Sequence, residues 1–123
     1  MQLQQRQSDD IEFTITSVNP SPNSLEITAS GPAGRYGNVF CSWFLESFDE
    51  NSGHSRGGGI GFLDEGQMLK GQGIGLWRRE GHKICIKQLI DIDNGDQNLD
   101  IITMDMHAKT VLIRPYALET NDA

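Results

Sequence analysis

The stretch that decides the fold is Gly57-Gly58-Gly59-Ile60-Gly61-Phe62-Leu63-Asp64-Glu65-Gly66-Gln67-Met68-Leu69-Lys70-Gly71-Gln72-Gly73-Ile74-Gly75. Glycine recurs at every second position in both arms, which is the period of a strand and not of a helix. With a loop at Glu65-Gly66-Gln67, Gly61 faces Gly71, Gly59 faces Gly73 and Gly57 faces Gly75, all on one side of a sheet. Glycine pairs add no packing and cost chain entropy, so the fold has to use the missing side chains. They either let the sheet bend, as barrel closure requires, or leave room for a bulky neighbour or a ligand.

These glycines do not form a phosphate loop. A GxGxxG pattern fails at its last position, which falls on Phe62, Asp64, Leu76 or Arg78 depending on the starting glycine. No GxxxxGK[ST] occurs, and no strand-to-helix turn follows to hold a pyrophosphate.

The period of two continues outward from the ladder. Ile11, Phe13 and Ile15 alternate with Glu12, Thr14 and Thr16, and Leu25 and Ile27 with Glu26 and Thr28. Turn signals stand at 19–23, 31–34, 49–53, Asp64-Glu65-Gly66, Glu80-Gly81, Asn94-Gly95 and near Ala108-Lys109. Between them lie an aromatic-rich stretch from Tyr36 to Phe48 and strands at 54–63, 67–79, 97–106 and 110–118. Only Phe44–Glu50 has room for a helical turn. The spacing predicts an all-β fold of about eight strands in one antiparallel meander. Closure into a small barrel removes the exposed edges; a two-layer β-sandwich is the alternative. A single domain spans 1–123, with 1–9 and 119–123 expected as loose termini.

Composition narrows the function. The 123 residues are 37% hydrophobic and 22% charged, the balance of a globular domain. Ten Lys and Arg against 17 Asp and Glu give a net charge of −7, which argues against a nucleic-acid partner. No run approaches the ~18 apolar residues of a membrane span, so no membrane partner is expected. The opening MQLQQRQSDD lacks the apolar core of a secretory signal, and a cytoplasmic location is expected. Cys41 and Cys85 sit in apolar surroundings and read as free, buried thiols.

The turn at Glu80-Gly81 pairs Arg79 with His82, Trp77 with Ile84 and Gly73 with Gln88. The turn at Asn94-Gly95 then pairs Gln88 with Ile101, Ile86 with Thr103, Ile84 with Asp105 and His82 with His107. On this reading Trp77, Ile84, Ile86, Ile90, Ile92, Leu99 and Ile101 form the core face, and Lys83, Lys87, Asp91, Asp93, Asn98 and Asp100 face water. Arg79, His82, Asp105 and His107 gather at a rim, with Gln88 and Thr103 deeper and Trp77 beside them. A barrel mouth with a few polar groups over an apolar interior is a common ligand site. A His with an Asp suits acid–base work, and Arg79 suits a carboxylate or phosphate. Arg78 is expected across from Lys83, a like-charge pair on a hairpin tip.

Other chemistries find no motif. The acidic run from Asp91 to Asp100 has glycine fifth and Ile102 twelfth, whereas a calcium loop wants glycine sixth and glutamate twelfth. His54, His82 and His107 lack metal-ligand spacing, and no GxSxG elbow is present, so no cofactor or metal is expected.

Tyr36-Gly37 opening a strand, the run Gly57–Gly61 and Gly71-Gln72-Gly73-Ile74-Gly75 together resemble the small eight-stranded barrels of the calycin and allene-oxide-cyclase-like groups. The likeness covers the middle third of the chain. The GxW that opens lipocalins is absent, since Trp43 has no glycine two residues before it. The resemblance implies a barrel whose interior holds a lipid-like or other apolar molecule, often in an oligomer. Three readings follow. The first is a binder of a small apolar or carboxylate-bearing ligand, oriented by the rim residues and approached closely at Gly57, Gly59, Gly61, Gly71, Gly73 and Gly75. The second is a small isomerase, cyclase or hydratase with His82 or His107 as general base. The third is a homo-oligomer joined through a sheet face carrying Ile74, Leu76, Leu89 and Ile102.

Overall fold

Alternating apolar and polar residues, broken by short turns, produce a sheet that closes on itself. The computed structural model describes residues 5–121. Eight antiparallel strands follow in order: β1 Ile11–Ser21, β2 Ser24–Pro32, β3 Asn38–Asp49, β4 Ser52–Phe62, β5 Met68–Glu80, β6 Lys83–Ile92, β7 Gln97–Asp105 and β8 Thr110–Glu119. β8 returns to β1 through Ile11↔Ile113 to Thr14↔Thr110, so the barrel is closed and the sandwich alternative falls away. The stretch expected to allow a helical turn is strand from Phe44 to Asp49; among the described residues the one helical piece is a 3-10 turn at Gly34–Tyr36.

Turn lengths set the register, and three differ from expectation. The β4–β5 loop is Asp64-Glu65-Gly66, closed by the Leu63 N–H on the Gln67 carbonyl at 2.9 Å. Gly59 therefore faces Gly71 and Gly57 faces Gly73, while Gly61 meets Leu69 and Gly75 meets Ser55. Two glycine pairs form instead of three, on the expected face. At the β5–β6 turn, Gly81-His82 forms the loop with Gly81 at φ +61°, the glycine-first arrangement of a type II′ turn. Trp77 then pairs with Ile86 and Arg79 with Ile84. Arg78 faces Cys85 and Glu80 faces Lys83, so the expected like-charge pair does not form.

The third difference has the largest effect. The β6–β7 loop is three residues, Asp93-Asn94-Gly95, with Gly95 at φ +101° and the Ile92 N–H on the Asp96 carbonyl at 3.0 Å. A two-residue Asn94-Gly95 turn would have placed Leu99 and Ile101 inside. The extra residue turns β7 over. Asn98, Asp100, Ile102 and Met104 face the interior, and Leu99, Ile101 and Thr103 face outward. Ile102, expected outside, is 1% exposed.

The core draws a buried apolar side chain from every strand but the glycine-rich β4, with Phe13, Ile27, Trp43, Leu45, Trp77, Ile86, Ile102, Met104 and Val111 all buried. At about 25 cal/mol per Å² of apolar surface, these large side chains are the main drive to closure. The ladder glycines are largely covered by neighbours. A Cβ on Gly57 would stand 3.3 Å from the Trp43 ring, and one on Gly73 would stand 2.5 Å from Ile90 Cδ1.

The segments expected as loose ends are docked where the structure describes them. The Gln7 N–H donates to the Pro115 carbonyl and the Ala117 N–H to the Gln5 carbonyl, both at 2.9 Å. The Asn121 N–H donates to Asp96 at 2.7 Å. Residues 1–4 and 122–123 lie outside the described residues.

Replacing two of the ladder glycines should separate bending from filling. A Cβ on Gly75 would run into the Lys87 carbonyl oxygen, whereas one on Gly71 first meets the Ile92 side chain at 3.3 Å. Gly75→Ala should cost about 3 kcal/mol and Gly71→Ala less than about 1 kcal/mol, read from urea midpoints.

Candidate functional site

Glycine on β4 and β5 and the turned-over β7 leave an unfilled space inside the barrel. The cavity measures about 110 Å³. Its wall is mostly carbon, from Ile11, Phe13, Val39, Trp43, Leu69, Ile90, Ile92 and Ile113, with Gly59, Gly61 and Gly71 on the ladder side. Tyr36, Cys41, Gln88, Asn98 and Asp100 supply its polar groups. Val39, Cys41, Leu69 and Ile90 are only partly buried, as expected of side chains that border empty space.

Asp100 stands out. It faces Gln88 across β6 and Pro115 across β8. Its Oδ1 is sealed from solvent and has no hydrogen-bond partner among the described residues. Burial pushes its carboxyl up to about 7. Gln88 accepts a hydrogen bond from the Ser55 hydroxyl at 3.3 Å. The Cys41 thiol points at the Ala29 carbonyl at 3.7 Å. Burial, and then the charge of Asp100, push that thiol up to about 12, so it stays protonated and unreactive.

A polar network closes the cavity at the end that carries the β2–β3, β4–β5 and β6–β7 connections. The Tyr36 hydroxyl donates to Asp96 at 2.7 Å and accepts from the Asn98 amide at 3.1 Å. The Gln7 amide donates to Asn98 at 2.8 Å, and Arg35 pairs with Asp96 at 3.2 Å. Burial raises the Tyr36 hydroxyl well above its ordinary value. Burial also raises the Asp96 carboxyl, but the Asn121 N–H, Tyr36 and Arg35 overcome it and hold the group below the usual carboxylate range.

The residues singled out from the sequence lie mostly at the opposite end. Arg79 donates to the Glu50 carbonyl at 3.2 Å, the Gly81 carbonyl at 3.0 Å and Asn51 Oδ1 at 2.7 Å, latching two hairpin tips together. The His82 and His107 rings do meet, with centroids 5.0 Å apart, but both residues are exposed. Asp105 accepts the N–H groups of Ala108 at 2.9 Å and His107 at 3.0 Å, which shape the β7–β8 turn and hold its carboxyl low. Trp77 is buried, with its indole N–H on the Glu46 carbonyl at 2.9 Å. Thr103 points outward between Cys85 and Leu112. Of the set, Gln88 alone borders the cavity, together with the ladder glycines Gly59, Gly61 and Gly71. Among the described residues no His, Cys, Asp and Glu side chains group as a metal site.

Sequence reasoning missed Asp100, Asn98, Tyr36 and Cys41. In β7 both alternating sets mix polar and apolar residues, so only the length of the preceding loop distinguishes inside from outside. No family model, no curated protein and no solved structure matches the chain.

The two interior carboxyls should respond to pH with opposite signs. Asp100 binds its proton more tightly folded than unfolded, where an aspartate sits near about 3.9, so its ionisation removes stability as pH rises from 4 through 7. Asp100→Asn should therefore raise Tm at pH 8 and leave it nearly unchanged at pH 4. Asp96, held low, contributes stability at neutral pH that is lost as pH falls through its folded value. Asp96→Asn should lower Tm at pH 7, with a smaller loss at pH 3. Melting curves over pH 3–8 check both.

Proposed function

We propose that the protein binds a compact, mostly apolar small molecule inside the barrel, beside the glycine ladder. The observation that carries this reading is the interior cavity of about 110 Å³ with Asp100, one of whose oxygens is unpartnered among the described residues, in its wall. An apolar cavity with a few convergent polar groups is the ordinary form of a ligand site. A space of this size suits a benzene-sized molecule rather than an acyl chain. Arg79, expected to hold a ligand carboxylate, is engaged at the other end, so the carboxylate-bearing alternative loses its anchor. The general-base alternative has His82 and His107 exposed at that same end, away from the cavity.

A panel of small aromatics, alcohols and amines should include compounds that raise Tm. Ligand at about 100 times its Kd adds about 2.7 kcal/mol, a shift of several degrees for a domain of this size. Gly71→Ala narrows the cavity and should weaken the same compounds at least several-fold while the fold persists. A panel that leaves Tm unchanged throughout would sink the reading.

A second reading rests on the outer face. Ile74, Leu76, Leu89 and Phe40 are 69%, 58%, 53% and 58% exposed, and Ile74 sits across from Leu89. Arg56 and Lys70 lie on the β4–β5 side of this patch, and Asp91 and Asp93 lie on the β6 side; all four are exposed. A two-fold axis through the patch would set the cations of one copy against the anions of the other, as a self-complementary dimer requires. Sedimentation should then show a dimer that Ile74→Glu dissociates. A parent chain that is monomeric at all concentrations would exclude it.

A further inference from the structure

Among the described residues, the cavity has one charged side chain facing it and nothing of opposite sign facing it. Asp100 enters from β7, and the titratable groups that share the wall are the Cys41 thiol from β3 and the Tyr36 hydroxyl, both held neutral by burial. Gln88 on β6 and Pro115 on β8 flank Asp100 and carry no charge. Lys70 lies on the wall with its side chain exposed, on the outward alternation between Leu69 and Gly71. The Asn98 amide is held by Tyr36 and Gln7. A carboxylate in such a place costs free energy until a donor or a cation meets it.

Three further features indicate which partner suits it. Phe13 and Trp43 line the same cavity, and aromatic rings attract cations; the Tyr36 ring, also in the wall, already carries the Arg35 guanidinium 5.8 Å from its centroid. The space is too poor in oxygen for a bare metal ion, which wants about six ligands, and large enough for a small alkylated nitrogen. The net charge of −7 favours the approach of cations over anions.

We propose that the interior site takes a compact organic ammonium bearing one N–H and small alkyl groups, with Asp100 accepting the N–H and Phe13, Tyr36 and Trp43 enclosing the alkyl groups. This assignment rests on the preceding reading of the cavity and gives its occupant a chemical class. Binding draws on the ionised form of Asp100 and so releases its proton below neutral pH.

Titration of the full chain with trimethylammonium and with tert-butanol tests it. Both probes carry one donor and three methyl groups, and they differ in charge. At pH 8 trimethylammonium should bind at least about tenfold more tightly, and Asp100→Asn should abolish that preference while tert-butanol binding persists. In the parent chain, trimethylammonium affinity should rise about 100-fold from pH 5 to pH 8, following ionisation of a carboxyl near 7, while tert-butanol affinity does not rise. If tert-butanol binds as well or better at pH 8, or trimethylammonium shows no pH dependence, the ammonium assignment fails and the cavity reading stands. If neither probe binds and no other compact molecule does, both fail. The pH series uses the unmodified chain, so the outcome holds even if the variant does not fold.

Discussion

Closure couples every strand of this barrel to the length of its turns. Once β8 pairs with β1, no strand can slide without reopening the sheet, and each side chain is committed to the interior or to solvent. The three residues Asp93-Asn94-Gly95 are the sharpest case. They send Ile102 and Met104 into the core, and they bring Asp100 and Asn98 with them. The apolar gain fixes the register, and the polar residues are carried inward by alternation. Asn98 is then satisfied by Tyr36 and Gln7. Asp100 is left beside Gln88 with one oxygen unpartnered.

The glycine ladder and the aromatic residues solve one packing problem together. Trp43 and Trp77 lie over Gly57 and Gly53, and Ile90 lies over Gly73. Small residues on one strand accept large ones from the next, which keeps a tightly curved wall filled. The cavity borders Gly59, Gly61 and Gly71, beside side chains of Val39, Cys41 and Ile92 that stand over them. Backbone carbonyls stand over Gly57, Gly61, Gly73 and Gly75, and side chains stand over Gly59 and Gly71, so the ladder serves close approach of its neighbours at every rung.

Much of the architecture was legible in the sequence. Alternation and turn residues located eight strands and their order, and the errors at the β4–β5 and β5–β6 turns moved partners by two residues without changing faces. Only the β6–β7 loop reversed a face, because Asn94-Gly95 fits a two-residue turn as well as the last two positions of a three-residue loop. That single reversal concealed the site, since it assigned Asp100 and Asn98 to solvent. Of the expected rim group, His82 and His107 meet, while Arg79 and Asp105 spend their hydrogen bonds on the turns. Tyr36 and Cys41 carried no local signal, because their roles arise from strands distant in the chain.

The network of Gln7, Arg35, Tyr36, Asp96, Asn98 and Asn121 also joins the two ends of the described chain. Gln7 bonds the Glu119 carbonyl at 3.1 Å and accepts from the Thr120 hydroxyl at 3.1 Å. A short peptide between these ends would span a short distance, so the barrel is suited to circular permutation, with new ends at an exposed tip such as Asp64-Glu65. In such a rearranged chain the two ends at the cap would become one continuous loop, joined by covalent connection where they are now joined by hydrogen bonds.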